Sequence, residues 1–178
     1  MRKTLLLFTT MALALLLAAG MAWAATGAPT VVSTVPPNGA TGVDPNANIM
    51  ATFSEAMSTK SLQICNHCTS TTSSKTFYLL LGNFTALSPT KNPPRFCITE
   101  TSSSTACPTP IPAKVSYNAV ANIAIPANTA ILDPTSTLQP GKEYTAVVEG
   151  TADGDYVAVK DADGTPMATD YIFHFKTA

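Results

Sequence analysis

The run Leu138-Gln139-Pro140-Gly141-Lys142-Glu143-Tyr144, followed by the alternating Thr145-Ala146-Val147-Val148-Glu149, most constrains what this chain can fold into. Pro140 presets φ and Gly141 accepts a positive φ, so the pair makes a tight turn. Tyr144 then opens a strand and faces the core, where its hydroxyl needs a partner. A backbone group a few residues upstream supplies one in a tyrosine corner, which marks a β-sandwich. Leu138, Pro140, Gly141 and Tyr144 are therefore structural residues. A ligand-contacting Tyr144 is the weaker alternative.

Strand signals recur along the rest of the chain. Pro29 to Val35 reads as an opening strand ended by Pro36-Pro37, and Asn38-Gly39 and Thr41-Gly42 read as turns. Asn48 to Ser54 alternates, with Ile49, Ala51 and Phe53 on one face and Met50 and Thr52 on the other. Ser58 to Leu62 can form one helical turn. Phe77 to Leu81 is uniformly apolar and reads as a central strand. Lys114 to Asn118 turns Val115 and Tyr117 inward. Asn122 to Pro126 does the same with Ile123 and Ile125, residues 118–121 linking the two as a hairpin. Leu132-Asp133-Pro134 reads as a turn, and Tyr156 to Val159 as a short strand. In the last strand Tyr171, Phe173 and Phe175 share the face opposite Ile172 and His174. Seven to eight short strands with such turns predict an all-β, antiparallel sandwich.

The first 24 residues read as a cleaved signal peptide: Arg2 and Lys3, an apolar run from Leu5 to Ala19, then Ala22-Trp23-Ala24. Residues 25–178 remain as a single domain, and no later stretch is long and apolar enough to span a membrane. Removing Arg2 and Lys3 leaves 8 of the 10 basic residues against 11 acidic ones, a formal charge of −3. Without a basic patch, nucleic acid is not an expected partner. The expected compartment is the periplasm, the cell surface or the extracellular space.

Two stretches break the strand rhythm, the Ser/Thr run 69–74 and the Pro/Ser/Thr-rich 91–112. Both read as long surface loops, of the kind that carries function. All four cysteines, Cys65, Cys68, Cys97 and Cys107, fall in the surrounding region 63–113. An even count in an exported chain favours disulfides that staple this region. Four cysteines allow three pairings, and local pairing of Cys65 with Cys68 and of Cys97 with Cys107 is preferred.

Cys65-Asn66-His67-Cys68 carries the alternative of a metal-binding or thiol-redox protein. The second pair lacks zinc-knuckle spacing, Thr69 stands where a c-type haem motif has His, and no βαβ pattern accompanies the motif. Asp153, Asp155, Asp161 and Asp163 are calcium candidates, but Gly164 comes too early for an EF-hand and Ile172 occupies its distal Glu position. Asp and Gly building turns between strands is the preferred reading of them. His174 has no marked nucleophile or orienting acid, and Asn83-Phe84-Thr85 fits a glycosylation sequon. No catalytic residue and no cofactor is expected.

Several pieces in order resemble the bacterial immunoglobulin-like domain of the S-layer (SbsA) type. They are residues 29–43, Ile49 to Met57, Leu138 to Tyr144, Val159 to Met167, and the closing Phe173-His174-Phe175-Lys176-Thr177. The resemblance implies an immunoglobulin-like β-sandwich acting as a spacer or adhesive module. The cysteine-bearing insertion departs from that pattern. The expected function is a non-catalytic secreted or cell-envelope module. Its loop insertion would contact a protein or an envelope polysaccharide.

Overall fold

A computed structural model describes residues 27–62, 76–84, 109–151 and 158–178. Eight strands follow one another: β1 (Val31–Val35), β2 (Ala40–Val43), β3 (Ile49–Phe53), β4 (Phe77–Leu81), β5 (Ala113–Asn118), β6 (Thr129–Pro134), β7 (Glu143–Val148) and β8 (Tyr171–Thr177). They form two four-stranded sheets, ordered β1-β3-β6-β5 and β2-β8-β7-β4. This is the strand arrangement of an immunoglobulin-like sandwich with β2 added beside β8. Among the described residues there is no helix long and apolar enough to cross a membrane. Ser58 to Leu62 makes a single turn, in which the Ser61 and Leu62 amides donate to the Ser58 carbonyl at 3.0 and 3.3 Å.

The core follows from period-two alternation on facing sheets. Ile49, Ala51 and Phe53 of β3 and Ala130 and Leu132 of β6 point inward from one sheet. Phe77 and Leu79, Tyr144, Ala146 and Val148, and Phe173 and Phe175 meet them from the other. The Tyr144 and Phe175 rings stack with centroids 5.6 Å apart and planes at 19°. Val115 and Tyr117 of β5 pack against this cluster.

Several sequence expectations change. Pairing is antiparallel throughout except between β2 and β8, which run parallel. The chain crosses between sheets after β1 without reversing direction, so β2 arrives alongside β8. As a result Thr41-Gly42, expected as a turn, lies inside β2.

The apolar β4 is not central. Among the described residues it pairs only with β7 and ends its sheet, although the Ile111 amide donates 2.8 Å to the Leu79 carbonyl on its other side. Both of its faces are nonetheless covered. Tyr78 and Leu80 join Val147, with Phe84 and Ile172 packed against them, in a second cluster on the outer face. A continuous apolar run reports covered faces, not position in the sheet. Because β4 belongs to the sandwich, the region 63–113 holds two connections rather than one insertion.

Residues 122–126 are not a strand. Asn122 Oδ1 accepts the amides of Ala124 and Ile125 at 2.9 and 2.8 Å, and the Asn122 amide donates to the Ile125 carbonyl at 2.9 Å. An Asn that bonds its own neighbours competes with ladder formation. The partner of β5 is instead β6, with Asn118 opposite Thr129, so Leu132-Asp133-Pro134 ends a strand where a turn was expected.

Of the short strand expected at 156–159, the first two residues lie outside the described residues. Val159 makes ladder-like bonds, its amide donating to Glu149 and its carbonyl accepting from Met167, at 3.0 and 2.9 Å, without entering a named strand.

Candidate functional site

Connections leave the sandwich at two poles, and each pole is knit differently. At one, the Leu138 amide donates to the Pro45 carbonyl, the Gly141 amide to the Ala178 carbonyl, and the Ala178 amide to the Val43 carbonyl. Here lies the corner. The Gln139 amide donates to the Tyr144 hydroxyl at 2.7 Å, so the buried phenol oxygen accepts from a residue five positions upstream. Thr177 Oγ1 donates to the Gln139 carbonyl at 2.7 Å and accepts from the Lys142 amide at 3.0 Å. Gly141 sits at φ 67°, in the left-handed region that a Cβ disfavours. Leu138 and Tyr144 are buried, and Pro140 and Gly141 are exposed. With its hydroxyl committed to Gln139 and its ring stacked on Phe175, Tyr144 is packed as part of the framework.

At the opposite pole three connections converge. The Met57 amide donates 2.8 Å to the Tyr117 hydroxyl, the Phe53 amide to the Asn128 carbonyl, and the Ser58 amide to the Lys160 carbonyl. Gly150 lies so close to Thr169 that its amide reaches Asp170 Oδ1 at 2.7 Å.

Asp161 is buried in this region. Its Oδ1 accepts the amides of Asp163 and Thr165 at 2.9 and 2.7 Å, while its buried Oδ2 has no hydrogen-bond partner among the described residues. The carboxylate thus braces a turn. Asp163 is exposed, and among the described residues no three His, Cys, Asp or Glu side chains gather as metal ligands. Asp153 and Asp155 lie outside the described residues.

His174 stands on the outer face of β8. The Thr145 hydroxyl donates to the Gly82 carbonyl at 2.7 Å and accepts from the Phe84 amide at 3.0 Å. His174 Nδ1 lies 3.1 Å from the same hydroxyl. With the only hydroxyl proton given to Gly82, Nδ1 must be the donor, so this network assigns the Nδ1–H tautomer. Burial lowers the His174 pKa below its ordinary value, opposed by the negative charge of Glu143. No nucleophile with an orienting acid stands beside it among the described residues. The imidazole braces the Thr145 hydroxyl, which in turn anchors Gly82 and Phe84 where the chain leaves the sheet.

All four cysteines, and His67, lie outside the described residues. The ends of the two stretches that carry them are fixed, however. Thr76 Oγ1 donates to the Ser61 carbonyl at 2.6 Å across the neck of 63–75. Phe84 and Ile111 are held to Thr145 and Leu79 on either side of 85–108. The sequon residue Asn83 is exposed, and Thr85 lies outside the described residues.

Sequence reasoning placed Ile123 in the core. The structure exposes it fully at the tip of the β5–β6 connection, with Val120 exposed beside it. The overlooked signal was local: Asn118, Asn122, Pro126 and Asn128 punctuate a segment too rich in turn residues to be a strand.

No curated protein matches the chain. Among solved structures, the N-terminal part of the bacterial S-layer protein SbsC is similar, at 17% identity and a TM-score of 0.42 over 85% of this chain and 24% of that one. The S-layer protein rSbsC(31-844) is similar at 18% identity and a TM-score of 0.43, over 84% of this chain and 14% of that one. The chain therefore spans less than a quarter of the length of either. The sequence model of the bacterial Ig-like domain matches residues 25–93 and 95–177, nearly everything after the leader-like segment. The chain belongs to the bacterial Ig-like domain family.

Proposed function

We propose that this protein is a non-catalytic structural and adhesion-type module of the bacterial cell envelope or its exterior. In this reading the sandwich is a rigid frame, and the connections 63–75 and 85–108 form the contact surface for an envelope polysaccharide or a protein. The observation that carries it is the anchoring of both connections at necks on the frame. Thr76 closes the first onto Ser61, and Thr145 and Leu79 hold the two ends of the second. A long connection on a rigid scaffold can vary and bind without cost to the core. The leader-like N-terminus and the family support an exported location.

The test is co-sedimentation with purified cell-wall fragments of the bacterium that encodes the protein. The wild type is expected to pellet with them. A variant in which residues 91–107 are replaced by a short Gly-Ser linker is expected to melt like the wild type yet stay in the supernatant. The replacement stops short of Ile111, whose amide holds β4. Equal pelleting of both proteins refutes the reading, as does a wild type that never pellets.

A further inference from the structure

Asn38-Gly39 is the one Asn-Gly pair in the sequence, and it stands just before β2, against β8. The Ala40 amide donates 3.1 Å to the Pro37 carbonyl, closing a turn whose third residue, Gly39, has φ 80°. The turn occupies the carbonyl that a parallel strand would offer to the His174 amide. The Asn38 side chain takes its place, Oδ1 accepting the His174 amide at 2.9 Å. The Gly39 amide donates in turn to the His174 carbonyl at 2.7 Å. Both backbone groups of His174 are thus paired with this one dipeptide.

The same dipeptide is chemically weak. In an Asn-Gly pair the glycine nitrogen, after losing its proton, attacks the Asn side-chain carbonyl carbon, because no Cβ stands in the way. The new C–N bond closes a succinimide, and the side-chain nitrogen leaves as ammonia. Water then opens either ring carbonyl. Opening at Cγ gives Asp. Opening at the main-chain carbonyl gives isoaspartate, whose backbone runs through Cγ and is longer by one carbon. Water is the only co-reactant, and both residues are exposed to it.

In the folded chain the attack is blocked. The Gly39 N–H is committed to the His174 carbonyl, so the nitrogen cannot lose its proton without breaking that bond. Asn38 Oδ1 is pinned by the His174 amide, so Cγ cannot turn onto the Gly39 nitrogen without breaking the other.

We propose that Asn38 is a deamidation site gated by β2. It reacts only in molecules whose β2 has lifted from β8, and the isoaspartate formed keeps β2 from docking again. The strand is suited to lifting. It has four residues and pairs with β8 at Ala40–Phe175 and Val43–Thr177, with an irregularity between. It also ends its sheet, so its departure opens the edge of β8. Isoaspartate moves Gly39 out of register with His174, and its carboxylate, shorter by one carbon, no longer reaches the His174 amide.

Peptide mapping by mass spectrometry during a long incubation at mildly alkaline pH tests this. The exported protein is compared with a free peptide of residues 34–43. Asn38 is expected to deamidate in the protein at about one-tenth of the peptide rate or less, the weight of two hydrogen bonds. Val43 packs partly buried against the core, so Val43→Ala weakens β2 without touching the dipeptide. It is expected to raise the rate in the protein about threefold or more and to leave the rate in the peptide unchanged. In the isoaspartyl protein, hydrogen exchange is expected to show lost protection over 40–43 and kept protection over β3 and β6. Asn38→Asp, which keeps an acceptor oxygen in place, is expected to keep protection over 40–43. The proposal is overturned by a folded protein that reacts at the peptide rate, or by a rate that Val43→Ala does not change. It is equally overturned if Asn38 stays intact in both proteins while the peptide reacts, or if the isoaspartyl protein keeps β2 protected.

Discussion

Replacing Tyr144 by Phe removes one oxygen from the corner and leaves the ring stacked on Phe175. That oxygen accepts the Gln139 amide at 2.7 Å. Gln139 is exposed at its side chain, yet its backbone is enclosed by the corner, because Thr177 Oγ1 donates to its carbonyl at 2.7 Å. An enclosed amide that loses its acceptor costs about 1–3 kcal/mol. For a domain of this length, each kcal/mol lowers Tm by roughly 2–4 °C. Tyr144→Phe is therefore expected to lose about 1.5 kcal/mol and about 3–6 °C. The denaturant m-value should not change, because the same surface is exposed on unfolding.

Thr177→Val, which keeps the volume, is expected to cost a similar amount, since its hydroxyl serves both Gln139 and Lys142. Both hydroxyls hold the same residue, one at its amide and the other at its carbonyl. The double variant should therefore fall short of the sum by about 0.5 kcal/mol or more, as for residues within one network. Urea titration followed by far-UV circular dichroism measures all three. A Tyr144→Phe protein as stable as the wild type, or strict additivity in the double variant, refutes the corner as a coupled unit.

Phe173→Ala, which empties a fully buried site between the sheets, is expected to cost about 3–5 kcal/mol in the same titration. Gly150→Ala places a Cβ 2.4 Å from the Thr169 carbonyl carbon, so backbone must shift, and a clear drop in Tm is expected by calorimetry. His174 carries a pKa lowered by burial, so the unfolded chain binds its proton more readily than the folded one. Its contribution is then present above the unfolded value of about 6.5 and is lost as pH falls from there toward the lower folded value. A His174→Gln protein should show a flatter Tm-against-pH curve in that window. Intact mass with alkylation before and after reduction is expected to show a chain starting at Ala25, with the four cysteines alkylated only after reduction.

The sequence reveals whatever is encoded by neighbours. The alternation Ile49-Ala51-Phe53 and the pair Phe173-Phe175 define inward faces by period two, and the sheets use them that way. The partner of Tyr144, Gln139, lies in the same short run, but Thr177, which completes the corner, comes 38 residues after Gln139. Its role is set by tertiary contact and leaves no local mark.

The edge position of β4 was hidden for a related reason: Tyr78 and Leu80 are covered by Phe84 and Ile172, one just after the strand and the other far along the chain. Ile123 failed for the opposite reason. Five residues of alternation imitate a strand, while the bonds from Asn122 and Asn118 settle a turn that no periodicity reports. The individuality of the protein lies in 63–75 and 85–108, whose Ser, Thr, Pro and Cys composition states loop chemistry but names no partner.

The division between a fixed frame and contacting connections is tested most directly by hydrogen exchange of the protein with and without cell-wall fragments. The account predicts that binding adds protection in peptides covering 63–75 and 85–108. Peptides covering the corner, residues 138–144, should be unchanged. Protection confined to the sheet faces or the corner, with both connections unaffected, contradicts it.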